Sequence, residues 1–599
     1  MTKSFAELLQ ARQPAPVPTP EPVAALAPRA IVRRAPAGLP AALAALHPVL
    51  QRVYAARGIT EAAELRLTLD RLLPVSSLPS VEAAAQLLVQ HRAGRILVIG
   101  DFDADGATST ALMLRALRAW GFSDTGFLVP DRFRFGYGLT PEIVDLAAEQ
   151  APALIVTVDN GISSVAGVAR AQALGIAVLV TDHHLPGAQL PAAEVIVNPN
   201  LTGSGFGSRA LAGVGVAFYV MAALRRCLEQ QGLLPTDAAP VSEFLDLVAL
   251  GTVADLVPLD ANNRVLVAQG LRRIREGRCV PGISALLEIA KRAPAEITAT
   301  DLGFAVAPRL NAAGRLDDLR IGIACLLAAT LDEARLGAAK LDELNQERRR
   351  IEADMQALAL VAVKGIDLPR RGPRRHGLCI FDASWHQGVV GLVASRVKDR
   401  VRRPVIAFAR SGDGQTLRGS ARSVPGVHIR DVLDAVATQE PDLIAKFGGH
   451  AMAAGLTIDE AGLDRFSGAF DAEVGRWLAR GAPDDAIQTD GSLEEAEFAL
   501  STAQLLRDGG PWGQAFPEPS FDGEFEILRT RIVGERHVKL WVQPARSKAS
   551  FDAIAFNFLD DEVREPPAGR VRLVYRLDIN EYRGERTLQL MVDHLQRLP

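Results

Sequence analysis

Three short apolar runs constrain this chain most: Ile96-Leu-Val-Ile99, Leu154-Ile-Val-Thr-Val158 and Ile176-Ala-Val-Leu-Val180. Each is rich in β-branched residues, and stretches of helical periodicity separate them. Runs without polar alternation read as strands covered on both faces, which predicts a parallel sheet with helices on each side. In open sheets of that kind, ligands collect beyond the carboxyl ends of the strands. The polar clusters fall there: Asp101-Phe-Asp103-Ala-Asp105-Gly106, Val158-Asp159-Asn-Gly161 and Thr181-Asp182-His-His184. A fourth cluster, Thr252-Val-Ala-Asp255, is read in the same way, at the end of a further strand.

Carboxylates crowded together raise one another's pKa unless a cation lies between them. Two divalent ions remove that conflict, one activating water and the other stabilising the leaving oxygen of a phosphoryl group. Oxygen ligands with imidazole, and no Cys in any of the four stretches, predict manganese or magnesium. A single Asp after a strand is most often the N-cap of the next helix, and a His pair is often a surface or core pair. Capping alone would not require four such clusters rich in carboxylate and imidazole.

The stretches Gly100-Asp-Phe-Asp-Ala-Asp-Gly106, Val158-Asp-Asn-Gly161, Asp182-His-His184 and Gly251-Thr-Val-Ala-Asp255 resemble the four motifs of the DHH phosphoesterase superfamily. The segments Ala307-Pro-Arg-Leu-Asn-Ala-Ala-Gly-Arg315, Trp385-His-Gln-Gly-Val-Val-Gly391, Gly419-Ser-Ala-Arg-Ser423 and Phe447-Gly-Gly-His-Ala-Met-Ala-Ala-Gly455 are similar to the bacterial RecJ single-strand-specific exonucleases. The resemblance implies that Asp103, Asp105, Asp159, His183 and Asp255 bind two metal ions, with Asp159 bridging them. It makes Asp101 a supporting acid and His184 a contact to the scissile phosphate, completing a catalytic set of seven. Arg309, Asn311, Arg315, His386, Gly388, Arg396, Ser420, Arg422, Gly448, Gly449 and His450 form the expected nucleic-acid and phosphate-binding set. The implied activity is 5′-to-3′ degradation of single-stranded DNA to mononucleotides, in recombination and repair. Single-strand-binding protein and a RecQ-type helicase are the implied protein partners, and a monomer is expected.

At 599 residues the chain is too long for a single core. Its expected class is multidomain α/β. Residues 1–40, rich in Ala and Pro, read as a disordered tail, and 41–330 as the phosphoesterase domain with a helical lead-in. Residues 331–369 read as a connecting helix, because they hold strong helix formers with few breaks. A smaller α/β lobe of the DHHA1 type is expected over 370–475. Alternating strands with basic and aromatic residues over 480–599 predict an OB-like β-barrel, with Trp541, Phe556, Phe558, Tyr575 and Tyr582 as candidates for base stacking.

A net charge of −4 means that a nucleic-acid partner must be held by local basic patches. These are Arg370, Arg371, Arg374 and Arg375; Arg396, Lys398, Arg400, Arg402 and Arg403; and Arg529, Arg531, Arg536, Lys539, Arg546 and Lys548. Four widely spaced Cys give neither a zinc pattern nor a disulfide framework, and no apolar run is long enough for a membrane span. A cytoplasmic enzyme is expected. Two other readings compete: a small-substrate phosphodiesterase acting on oligoribonucleotides or cyclic dinucleotides, and a non-enzymatic replication or repair scaffold. The first is at odds with the chain's length and C-terminal strands, the second with the intact acidic set.

Overall fold

The computed structural model describes residues 29–34, 38–130, 138–364, 375–385, 387–411, 414–449, 451–479, 486–545, 547–559 and 563–599. A short strand, β1 (Ile31–Arg33), precedes the phosphoesterase sheet, which comprises β2 (Ile96–Gly100), β3 (Thr125–Leu128), β4 (Leu154–Val158), β5 (Ala177–Thr181) and β6 (Val195–Val197). All its pairings are parallel, in the order β3-β2-β4-β5-β6. Every residue of β2 and β4 is buried, as unalternating apolar runs require. The strand order reverses between β2 and β4, so a crevice opens at their carboxyl ends, where Asp101 and Asp159 follow.

The fourth acidic motif departs from expectation. Asp255 ends a helix, Leu245–Ala254, rather than a strand. That segment is apolar on nearly every side because it is buried on nearly every side, and a short buried helix cannot be told from a buried strand by periodicity.

The long helix Leu331–Lys364 follows the phosphoesterase domain; its 34 residues span about 50 Å at 1.5 Å per residue. The next lobe carries β7 (Leu378–Phe381), β8 (Val405–Arg410), β9 (Thr416–Arg422), β10 (Lys446–Gly449) and β11 (Ala453–Asp459) in the order β10-β11-β9-β8-β7. Only β7 and β8 pair in parallel.

After β12 (Ile487–Thr489) come β13 (Phe521–Val533), β14 (His537–Pro544), β15 (Phe551–Ala555), β16 (Gly569–Tyr582) and β17 (Glu585–Arg597). They close into a barrel in the order β13-β14-β15-β17-β16. Strand β17 carries a weak sequence signal, because Leu588-Gln-Leu-Met591 is rich in helix formers.

Residues 31–33, inside the segment read as a disordered tail, are ordered. Strand β1 pairs in parallel with β12, and Arg33 reaches Asp522 of the barrel at 3.0 Å. Arg57 and Asp490, both almost fully buried, form a 2.8 Å ion pair, and Tyr54 stacks on Trp512 at 5.9 Å. The barrel therefore shares its core with the N-terminal helices and is not a detachable module. Residues 1–28 and 35–37 of the tail, and Arg370, Arg371, Arg374 and Arg546, lie outside the described residues.

Candidate active site

Asp101 follows β2 directly, and Asp103 caps the helix Ala104–Ala119 by accepting the N–H groups of Asp105 (2.9 Å) and Gly106 (3.0 Å) through Oδ1. Capping is thus a real task of Asp103. It does not account for its neighbours. Asp105 turns inward on the same helix and is clamped by the amides of Gly213 (2.7 Å) and Val214 (2.9 Å), at the start of the helix Gly213–Gln230. A helix N-terminus carries partial positive charge, so its amides orient that carboxylate.

Asp159 follows β4 in the left-handed region, φ +61°, which costs energy in a residue bearing a Cβ. Such strain collects at functional sites. It brings Oδ1 to 3.1 Å from Nε2 of His183, and that same nitrogen lies 3.5 Å from Oδ2 of Asp255.

The His pair is fixed from three sides. Asp182, fully buried after β5, accepts the backbone N–H groups of Ile162, His183 and His184 and contacts His184 Nδ1 at 2.7 Å. Asn198 and Asn200 donate to the carbonyls of His184 and His183, at 2.9 and 2.6 Å. Burial would lower His184, but the Asp182 hydrogen bond and charge outweigh it and raise its pKa to about 9. Burial, then the neighbouring His184, lowers His183 to about 4, so its ring is neutral at physiological pH.

Three acidic or imidazole trios have ligand atoms within 4.8 Å of one another: Asp159, His183 and His184; Asp105, His183 and Asp255; Asp101, Asp103 and Asp159. Asp159 and His183 each belong to two. Burial, then the charge of Asp103, raises both Asp101 and Asp105 to about 7. Burial and Asp105 lift Asp255 to about 8, and the same two causes push Asp159 well above the carboxylate range.

Such a cluster cannot ionise without cations. The ring of His183 also hydrogen-bonds to the Leu211 backbone, which leaves the nitrogen facing Asp159 as an acceptor opposite an acceptor. Nε2 of His183 and Oδ1 of Asp101 are buried without a hydrogen bond. Oxygen and imidazole donors in that arrangement fit divalent Mn²⁺ or Mg²⁺.

Two residues expected to bind phosphate have other contacts here. Arg309 is buried and pairs with Asp342 of the long helix at 2.7 Å. Asn311 accepts the N–H of Ala104 at 2.8 Å. Both belong to the helix Ala307–Leu316, whose Gly314 packs so tightly on the Phe102 carbonyl that a Cβ would come within 1.9 Å of it. This helix buttresses the Asp101–Asp105 turn. Arg315, near its end, is exposed.

In the second lobe, Gly448, Gly455 and Ser420 align across β10, β11 and β9, and neither glycine would meet any atom with an added Cβ. That stretch of sheet is open. Arg422 donates to Ser420 Oγ at 2.9 Å, and Gly391, in the first turn of the helix Val390–Val401, lies against both side chains. Gly449 occupies φ +143°, Gly388 precedes that helix, and Arg396 is exposed on it. His386 and His450 lie outside the described residues.

On the barrel, Tyr575 is interior, fully buried, whereas Trp541 is part-exposed between Arg529 (5.0 Å) and Lys539 (5.2 Å). Phe556 is exposed and Phe558 part-buried; the Tyr582 side chain lies outside the described set. The sequence reading did not find Gly213, Asn198, Asn200 or the buttressing role of Asn311. Each acts through a contact remote in sequence, and only Leu211-Ala-Gly-Val-Gly215, a glycine-bearing helix start, gave a local signal.

Family models match residues 95–252 (DHH family, N-terminal domain), 375–476 (DHHA1 domain) and 489–594 (RecJ OB domain). The chain is 53% identical to the single-stranded-DNA-specific exonuclease RecJ of Salmonella typhimurium, over 92% of this chain and 96% of the relative. It is equally similar, 53% over 92% of this chain and 96% of the relative, to the protein of that name from Escherichia coli. The crystal structure of RecJ in complex with Mn²⁺ from Thermus thermophilus superposes with a TM-score of 0.73 at 29% identity, covering 93% of this chain and 77% of that one. Its counterpart in complex with Mg²⁺ gives 0.68 at 27% identity, over 93% and 76%.

Proposed function

The chain belongs to the RecJ family of single-stranded-DNA-specific exonucleases, and from that premise we propose that it hydrolyses single-stranded DNA from the 5′ end to mononucleotides, in recombination and repair. The observation that carries the reading is the overlap of the trios at Asp159 and His183, a set in which Asp159 could serve both of two divalent ions. Asp103, Asp105, Asp159, His183 and Asp255 would hold them, with Asp101 in support. Divalent ions supply an activated water and charge stabilisation of the departing oxygen.

The remaining work falls to the chain itself. Amides of Gly213 and Val214 keep Asp105 aimed into the crevice, and Asp182 fixes both imidazoles. His184, cationic through Asp182, is suited to hold a non-bridging oxygen of the scissile phosphate. Ser420 and Arg422, beneath the first turn of the helix Val390–Val401, would grip a neighbouring phosphate, and the open Gly448–Gly455 surface would let the backbone of the strand pass. Trp541 with Arg529 and Lys539 offers a stacking surface for a base further along.

Among the described residues no single helix is long and apolar enough to cross a membrane, in keeping with the cytoplasmic setting we propose. Single-strand-binding protein and a RecQ-type helicase are the proposed partners, on a monomeric enzyme. The test is digestion of end-labelled single-stranded DNA, duplex DNA and RNA with Mn²⁺ or Mg²⁺, products resolved by size. Release of mononucleotides from the 5′ end of single-stranded DNA supports the reading; equal digestion of duplex, or attack from the 3′ end, overturns it.

A further inference from the structure

Arg264 lies on the helix Ala261–Arg275 with 5% of its surface exposed. Its guanidinium carbon sits 4.4 Å from the ring centroid of Phe516, and its Nε is buried without a hydrogen-bond partner. Among the described residues, no carboxylate reaches it within ion-pair distance. Glu64 and Asp260 favour its charge only from further away. Glu64 is engaged with the amides of Thr60 and Glu61, and Asp260 with Ser208 and Asn263.

A buried charge without a close partner is costly, so a native chain that keeps one has a use for it or an ion to match it. Arg264 lines a cavity of about 140 Å³ that is also bounded by Tyr54, Phe516 and the turn Asp508–Gly510. At about 30 Å³ per water, that volume has room for four to five waters or for one tetrahedral oxyanion. Asp508, the one acid on the wall, has both carboxylate oxygens 3.0 Å from Nε2 of Gln504. The cavity shares Leu67, Asp508 and Gly510 with a cleft of about 650 Å³ also lined by Arg275 and by Arg507, which pairs with Glu296 and Asp578.

We propose that this cavity is a binding site for a small oxyanion, a phosphate or carboxylate group, gripped by Arg264 and set apart from the phosphoesterase crevice. Its walls come from three places: Tyr54 of the N-terminal helix Pro48–Ala55, Arg264 of the phosphoesterase domain, and the Asp508–Phe516 segment leading into the barrel. Occupancy therefore clamps the barrel to the catalytic domain and stabilises the whole chain by mass action.

The test uses the full chain in EDTA, in an Arg422→Ala background so that the second lobe does not compete for the anion. Melting is followed in inorganic phosphate, acetate or dAMP against chloride at constant ionic strength. Saturating ligand is expected to raise Tm by about 2 °C, and further replacement Arg264→Met, which keeps the side-chain bulk, to abolish the rise. Phosphate alone, dAMP or acetate as the active arm identifies free phosphate, a phosphomonoester or a carboxylate as the source. An unchanged rise in the Arg264→Met protein, or no rise with any of the three, overturns the site. Should the Met variant not fold, crystals of the unsubstituted chain soaked in selenate decide: an anomalous peak beside the Arg264 guanidinium supports the site, and its absence refutes it.

Discussion

Asn311 and Ala104 are 207 residues apart in sequence and 2.8 Å apart in space, the side-chain oxygen of one accepting the backbone N–H of the other. This bond ties the helix Ala307–Leu316 to the first turn of the helix that carries Asp105. Asn311 is therefore a positioning residue. Replacing Asn311 with Leu is expected to lower kcat about 10–100-fold and weaken Mn²⁺ binding similarly, the usual cost of losing a partner that orients metal ligands. Binding of single-stranded DNA in EDTA should be unchanged; a loss confined to DNA affinity would return Asn311 to the phosphate-binding set.

Gly213 marks how little room the crevice has. A Cβ there would come within 2.7 Å of Oδ1 of Asp159 and 2.8 Å of its Cγ. Gly213→Ala is expected to displace that carboxylate and reduce turnover about 100-fold, since a shift near 1 Å at a reacting centre costs that much. Far-ultraviolet circular dichroism should be unaltered. Full activity in a folded Gly213→Ala protein would show that the position of Asp159 is not critical.

Much of this site was legible before the fold was seen, because the carboxylates and imidazoles lie next to strands whose apolar runs announce themselves. The structure brings Asp101, Asp159 and His183 together in the crevice beyond those strands. Asp255 joins them, but from a helix rather than the expected strand, since Leu245–Ala254 is buried all round and loses its helical periodicity. Residues that hold the acids and imidazoles in place were illegible: Asn198, Asn200 and Gly213 are ordinary polar or small residues until the chain brings them against His184, His183 and Asp105. Arg309 misled for the converse reason. It carries a phosphate-binding side chain, yet Asp342 neutralises it.

Arg422 should separate strand capture from chemistry. Its guanidinium is matched to phosphate by a planar fork that Lys does not reproduce. Arg422→Ala and Arg422→Lys are both expected to raise KM for a 5′-phosphorylated strand by about 10-fold or more, with Mn²⁺ affinity unaltered. A collapse of metal affinity, measured by titration calorimetry, would place Arg422 with the phosphoesterase crevice instead.

The metal-free protein should respond to pH in a direction set by its crowded acids. Asp101, Asp105 and Asp255 are raised to between about 7 and about 8, whereas unfolded Asp titrates near 3.9. Between those limits the folded state binds more protons than the unfolded one, so stability falls as pH rises from about 4 to 8. Tm in EDTA is expected to decline over that window, and excess Mn²⁺ to reverse the decline. A flat profile, with no response to Mn²⁺, would mean that the cluster is not a cation site.

The most direct measurement pairs metal stoichiometry with turnover in Asp159→Ala, because Asp159 belongs to two of the three trios. Calorimetric titration of Mn²⁺ should find two ions on the unsubstituted chain and at most one, weakly held, on Asp159→Ala. Hydrolysis of single-stranded DNA should be lost while the circular dichroism spectrum is kept. Near-normal turnover by Asp159→Ala with Mn²⁺ or Mg²⁺ would contradict the shared-carboxylate, two-ion account of this enzyme.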